Sequence, residues 1–362
     1  MPYDFDHADT LIFSDDPEAL STVMRPGDPV HVTTPTDAVL YEAEVGGGRK
    51  RVFYYHQNFD PAARTLAVRI ENLDAAPVTL RVLEYPQQPD GDIIAVGHRS
   101  VVGFLGALIA GSWTTVNLQA AGGPGDKTTL AVSVPTAGQL ASAFVEMDTP
   151  AASRLKVRVI SAASAATLDS VGANGAGQTT GDGIGRSGVF DLTRSRTAQG
   201  DFAALAWDVN AAPLQIAVPD PRSFPNAKVP ATSPGHNPQA AVYGLFTRRT
   251  VTLSNSGASD VDVGVYVQAD GGDSPATCMV DNEIIELGTM TSGPRATRPG
   301  YEMATRTVGA HTNGSVTIDL LGTVDPSGRG PLTIVLAKRG TLPLPGDKKQ
   351  VVFLPGGAQW TA

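Results

Sequence analysis

The densest cluster of side chains able to do chemistry in this 362-residue sequence is Tyr54-Tyr55-His56-Gln57-Asn58, joined at a distance by His98 and by the acids Asp90 and Asp92. Imidazole and carboxylate together suit zinc, copper or iron, so His56, His98 and Asp92 form the candidate transition-metal site. The pattern is thin for that role, because it has neither a His-x-His pair nor a third close ligand. A hydrogen-bonded structural histidine at a strand end or helix start is the competing reading. Calcium is the other cation to weigh, since acids gather at Asp260–Asp262, Asp270–Asp273 and Asp281–Glu283, though without the ladder of ligands that an EF-hand-like loop supplies.

Nucleophilic chemistry has less to stand on. The sequence has no G-x-S-x-G elbow, and its one cysteine, Cys278, has no histidine near it in sequence. The glycines of GANGAGQTTGDGIG lack the lysine and the following helix of a phosphate-binding loop. No catalytic residue is assigned, and the chain reads as a non-enzyme. Aromatic side chains could instead stack on sugars, with Tyr54, Trp113, Trp207 and Trp360 as the candidate ligand-binding residues; against this, tryptophan in a β-sandwich more often belongs to the core.

Composition says what kind of scaffold must hold these groups. With 39 glycines, 27 prolines and only 17 % charged residues, the chain has the punctuation and low charge of an all-β protein. A formal net charge of −9 argues against nucleic acid or an anionic membrane, which require clustered Lys and Arg. No apolar run reaches the roughly 18 residues of a membrane-spanning helix. The first residues, MPYDFDHADTLIF, carry no signal-peptide pattern: the chain either stays out of the general secretory route or starts after a removed signal. Cys278, set in ATCMVDNEII, reads as a buried structural thiol on a strand.

An internal repeat supplies the architecture. AVRIENLDAAPVTLRVLEY, from Ala67, returns from Thr250 as TVTLSNSGASDVDVGVYVQ, so that Val68 falls on Val251, Ile70 on Leu253, Asn72 on Asn255 and Val78 on Val261. Two related domains follow, each built on a strand-turn-strand unit with one dry and one wet face, and with LDAAP and Ser256–Asp260 as hairpin loops. The spacing of apolar residues from His98 to Gly111 predicts a helix that caps the end of the first sandwich and stops at Gly111. The expected fold is all-β, with two tandem antiparallel β-sandwiches of jelly-roll or Ig-like type and one short helix in the first. The expected divisions are residues 1–165, a Gly-rich linker at 166–188 that a protease would cut near Arg186, and a second domain at 189–362 with a Pro-rich loop at 219–238.

The stretches FYYHQN, LAVRIENLDAAPVTLRVLEY, VGHRSVVGFLGAL, ASAFVEMD, VYGLFTRRTVTLSNSGASDVDVGVYVQADGG and MVDNEIIE carry a family resemblance. The chain resembles poorly characterised, secreted two-domain β-sandwich proteins of bacteria, sometimes found with a copper amine oxidase N-terminal-like stalk domain. That resemblance implies an extracellular or cell-envelope location and no catalytic residue to carry over; the copper label belongs to the neighbouring domain. The function expected is a structural or interaction protein of a cell surface, extracellular assembly or virion that self-associates or binds a protein partner. A carbohydrate-binding protein and a metal-binding protein using His56 and His98 are the alternatives.

Overall fold

The computed structural model describes residues 8–15, 18–23, 33–171, 187–191, 205–218, 227–228, 246–269, 274–281, 283–290, 300–321, 332–342, 350–354 and 357–360. These fall into two compact units. One holds the described residues up to 191 together with 227–228, and the other holds 205–218 and the residues from 246 onward.

In the first unit the strands are β1 (Thr10–Ser14), β2 (Ala19–Leu20), β3 (Ala38–Val45), β4 (Gly48–Asn58), β5 (Thr65–Asn72), β6 (Val78–Pro86), β7 (Thr114–Leu118), β8 (Lys127–Ser133), β9 (Leu140–Thr149), β10 (Leu155–Ala162) and β11 (Ser187–Asp191). The second unit contains β12 (Leu205–Asp208), β13 (Leu214–Val218), β15 (Phe246–Ser254), β16 (Val261–Ala269), β17 (Ser274–Val280), β18 (Glu283–Met290), β19 (Tyr301–Val308), β20 (Asn313–Leu321), β21 (Leu332–Lys338), β22 (Gln350–Leu354) and β23 (Gly357–Trp360). A two-residue strand that follows β13 in sequence, β14 (Ala227–Lys228), belongs to the first unit.

Each unit is a β-sandwich. The first packs a sheet ordered β14-β11-β1-β4-β9-β6-β7, with β2 beside β4, on a sheet ordered β3-β10-β5-β8. The second packs β12-β15-β20-β17-β18-β22-β23 on β13-β21-β16-β19. Val52, Tyr54, Val145 and Leu80 of one sheet meet Val68, Ile70, Val157 and Tyr41 of the other in the first core. Val251, Cys278, Ile318 and Ile285 meet Val263, Val265, Ile334 and Met303 in the second. Pairing is mostly antiparallel, with β1 and β2 parallel to β4 and β12 parallel to β15 as exceptions.

The predicted hairpin does not form. Strand β5 lies in the smaller sheet and β6 in the larger, so LDAAP is an arch that crosses the sandwich, and Ser256–Asp260 likewise carries the chain from β15 in one sheet to β16 in the other. Alternation of apolar residues is the same whether the next strand pairs beside the last or crosses the core, which is why the pattern alone misassigns the connection. Nor does β5 have a wet face: its outward residues Ala67 and Arg69 are covered by a 3-10 helix at Ala165–Ser170, through Leu168 and Val171.

The repeat is present in the fold, but one strand away from its sequence register. Strands β1, β4, β9 and β6 are neighbours in the same order as β12, β15, β20 and β17, and β3, β10, β5 and β8 match β13, β21, β16 and β19. The parallel pair β1–β4 then corresponds to β12–β15, and the irregular pair β5–β8 to the irregular pair β16–β19. The structural partner of Asn255 is therefore Asn58, not Asn72.

The helix is real and longer than predicted. Helix α1 (Ile93–Ala110) begins after Asp92, whose side chain accepts from the Ala95 N–H, and ends at Gly111 in a left-handed conformation with φ 65°. It packs against β6 and β9, covering the outer face of the larger sheet instead of capping an end. Phe13, Phe53, Phe144 and Phe104 stack in sequence across that face, at centroid distances of 5.1, 4.3 and 4.7 Å. Gly103 is required there, because a Cβ would lie 1.8 Å from the Tyr85 ring.

The boundary between the domains also moves. The expected linker from 166 begins with the packed 3-10 helix, and β11, expected to open the second domain, pairs with β1 of the first unit. The segment 172–186, with its expected protease site at Arg186, lies outside the described residues, as does most of the Pro-rich loop 219–238.

Candidate functional site

Strand β4 carries the polar cluster, and its period of two sends the members to opposite faces. Tyr54 points into the core, where its hydroxyl donates to the Ala131 carbonyl at 2.7 Å and lies 3.0 Å from Ser133 Oγ. Burial pushes its ionisation well above the ordinary tyrosine range. Tyr55 points outward and donates to the carbonyl of Ile93 at the start of α1. Fully buried His56 shares the side of Tyr54, with its Nε2 hydrogen-bonded to Ser14 Oγ at 2.9 Å.

That alternation separates the proposed metal ligands. His98 rides on α1, over the opposite face of the sheet from His56, and Asp92 spends its carboxylate on capping that helix. Among the described residues, no three His, Cys, Asp or Glu side chains come together to hold a metal ion. Asp281 accepts from the Thr317 N–H and pairs with Arg306, and Asp260 accepts from the Ala310 N–H. Asp270–Asp273 lies outside the described residues.

Asn58 ends β4 and locks the arch to β5. Its Oδ1 accepts from the Asp60 N–H at 3.0 Å, while its Nδ2 donates to the carbonyls of Ala62 and Pro135 at 2.9 and 3.0 Å. Asn255 repeats this, accepting from the Gly257 N–H and donating to Ser259 and Val308. Asn72 does so a third time, with Asp74, Ala76 and Gln119. The shared spacing, Asn followed by a turn of five or six residues and a new strand, was the sequence signal for this lock. Beside Asn58, buried Arg64 clasps Asp60 and donates to the carbonyls of Thr34 and Pro35. Burial would raise the Asp60 carboxyl, but the Thr22 N–H, the Arg64 guanidinium and the Thr22 hydroxyl outweigh it and hold it below the usual carboxylate range.

A buried charged cluster, missed in the sequence, lies under and beside α1. Arg51 and Glu146 are both fully buried and paired at 2.7 Å, Arg49 joins the same carboxylate at 2.8 Å, and the Arg51 guanidinium sits 5.4 Å from the Phe104 ring centre. Trp113, partly exposed, carries the Arg49 and Arg81 guanidiniums at 5.0 and 5.1 Å from its ring centre. Its ring therefore shields arginines before it can offer a platform to a sugar. Trp207 is buried in the second core and donates from Nε1 to the Ala212 carbonyl at 2.9 Å. The side chain of Trp360 lies outside the described residues. Cys278 is buried on β17, and burial pushes its thiol up, away from the reactive thiolate.

No family model and no curated protein matches the chain. Among solved structures it is similar, at 10 % identity, to the tandem CBM22 domains of Paenibacillus barcinonensis Xyn10C, over 91 % of this chain and 99 % of that one, with a TM-score of 0.15. It is also similar, at 8 % identity, to the multicopper oxidase Fet3p, over 88 % and 62 %, with a TM-score of 0.14. A third is the CUB1-EGF-CUB2 region of human MASP-1/3, at 11 % identity over 84 % and 96 %, with a TM-score of 0.14. At such scores these likenesses carry no argument about fold or function.

Proposed function

We propose that the chain is a non-enzymatic structural or interaction protein, a pair of β-sandwiches that acts by self-association or by binding a macromolecular partner in a surface layer, extracellular assembly or virion. One observation supports this best: among the described residues, the chemically able side chains of β4 and of the arches are engaged by the scaffold. Tyr54, His56, Asn58, Asp60, Arg64, Asn72 and Asn255 hold strands and arches together, and Arg51 and Glu146 seat the helix. Among the described residues no helix is long and apolar enough to cross a membrane. The test is to immobilise the chain and pass the same chain, then a glycan panel, over it. Concentration-dependent self-binding with no glycan response is the expected result. Saturable glycan binding abolished by Trp113→Ala, with no self-binding, would replace this reading with the carbohydrate one.

A further inference from the structure

The outer face of the larger sheet in the first unit gathers guanidinium groups. Arg49 and Arg51 on β4 and Arg81 on β6 point away from the core residues Val52, Leu80 and Val82. Fully buried Glu146 is shared by Arg49 and Arg51, at 2.8 and 2.7 Å. Among the described residues Arg81 has no such partner: Asp148 stands opposite it in register, yet no carboxylate lies within ion-pair distance of its guanidinium and no group accepts a hydrogen bond from it. What holds Arg81 is Trp113, whose ring centre is 5.1 Å from its guanidinium and 5.0 Å from that of Arg49. A stacked guanidinium keeps its in-plane N–H groups able to donate, and because the ring already restrains the side chain, less rotamer freedom is lost on binding. The surroundings leave room. Arg81 is exposed, β7 beside it is the last strand of the sheet, and its outward neighbours Thr79, Thr115 and Asn117 are exposed, short and uncharged.

We propose that the Arg81 guanidinium, backed by Trp113 and Arg49, is a carboxylate-binding site whose ligand is an acidic side chain of a partner protein. The inference rests on the interaction reading above and supplies the chemistry of one contact. A carboxylate matches the planar fork with two parallel hydrogen bonds. The same face already displays that chemistry, since Nε and Nη2 of Arg51 grip the two oxygens of Glu146 at 2.7 and 3.4 Å. Three arginines against Glu146 and Asp148 leave the patch cationic in a chain of net charge −9, so it attracts acids that the molecule as a whole repels. The two guanidiniums occupy the Trp113 ring, the platform a sugar would need, which favours a carboxylate on a polypeptide over one on a glycan.

The probe is a hexaglutamate peptide, passed at low ionic strength over the immobilised chain, with inorganic sulfate and a polyuronate as the other arms. The expected result is saturable peptide binding that weakens about tenfold or more in Arg81→Ala and recovers only in part in Arg81→Lys, whose ammonium lacks the fork. Arg99→Ala, which removes another exposed arginine, one already paired with Asp90 at 2.8 Å, should leave binding unchanged. Both positions are on the surface, and thermal melts check that the variants fold. Peptide binding that is absent, indifferent to Arg81, or lost equally in the Arg81 and Arg99 variants overturns the site. Sulfate or polyuronate bound through Arg81 where the peptide is not overturns the polypeptide carboxylate as its ligand. Self-binding is followed on the same surface. Self-binding that persists without peptide binding overturns this site and leaves the interaction reading standing, whereas no peptide binding, no self-binding and no partner in pull-downs overturns both.

Discussion

At the residue scale, an amide at positions 58, 72 and 255 does what no other side chain of its size does, accepting one backbone bond and donating two across an arch. Replacing Asn58 or Asn255 by Ala leaves carbonyls in the arch without a donor and should cost about 1–3 kcal/mol, read as a lower urea midpoint with an unchanged slope. Asp at either position should do no better, since a carboxylate cannot donate. Glu146→Gln should be harsher, at about 3–5 kcal/mol, because it leaves buried Arg51 without its counter-charge. Asp60 gives the pH dependence. Its folded value is lowered, so its contribution is fully present above its unfolded value of about 3.9 and drains away as pH falls through the folded one. Urea titrations in acid should show this loss, and Asp60→Asn should remove that part of the slope. Little of this was legible beforehand: Tyr54, His56 and Trp207 were visible as chemically able groups, but only the pairing of strands shows that they are already engaged.

At the scale of elements, helix α1 was legible through the spacing of Val101, Phe104, Leu105 and Leu108 and through Gly111. Its first turn was not, because the cap at Asp92 follows an acidic loop with no apolar lead. The glycines inside it behave differently. Gly103→Ala should destabilise by about 1–3 kcal/mol through its clash with Tyr85. Gly106→Ala, which meets nothing within 4 Å, should stabilise by up to about 1 kcal/mol; thermal melts of the two variants should move in opposite directions. Strand β19 carries a weak sequence signal although Tyr301 and Met303 alternate inward, since Glu302, Thr305 and Arg306 dilute the apolar pattern.

At the scale of the molecule, the sequence repeat pointed to two related sandwiches and misplaced their correspondence, because the first unit uses the asparagine-locked arch twice and the pattern matched the later copy. The function proposed rests on where the described residues Tyr54, His56, Asn58 and Arg51 stand, each engaged within the scaffold. The most direct test is the solution mass of the unsubstituted 37.5 kDa chain, measured by light scattering over a wide concentration range with and without calcium. A mass that climbs above that of one chain as concentration rises is the predicted result. A mass fixed at one chain throughout, in a sample from which pull-downs recover no macromolecular partner, would contradict it.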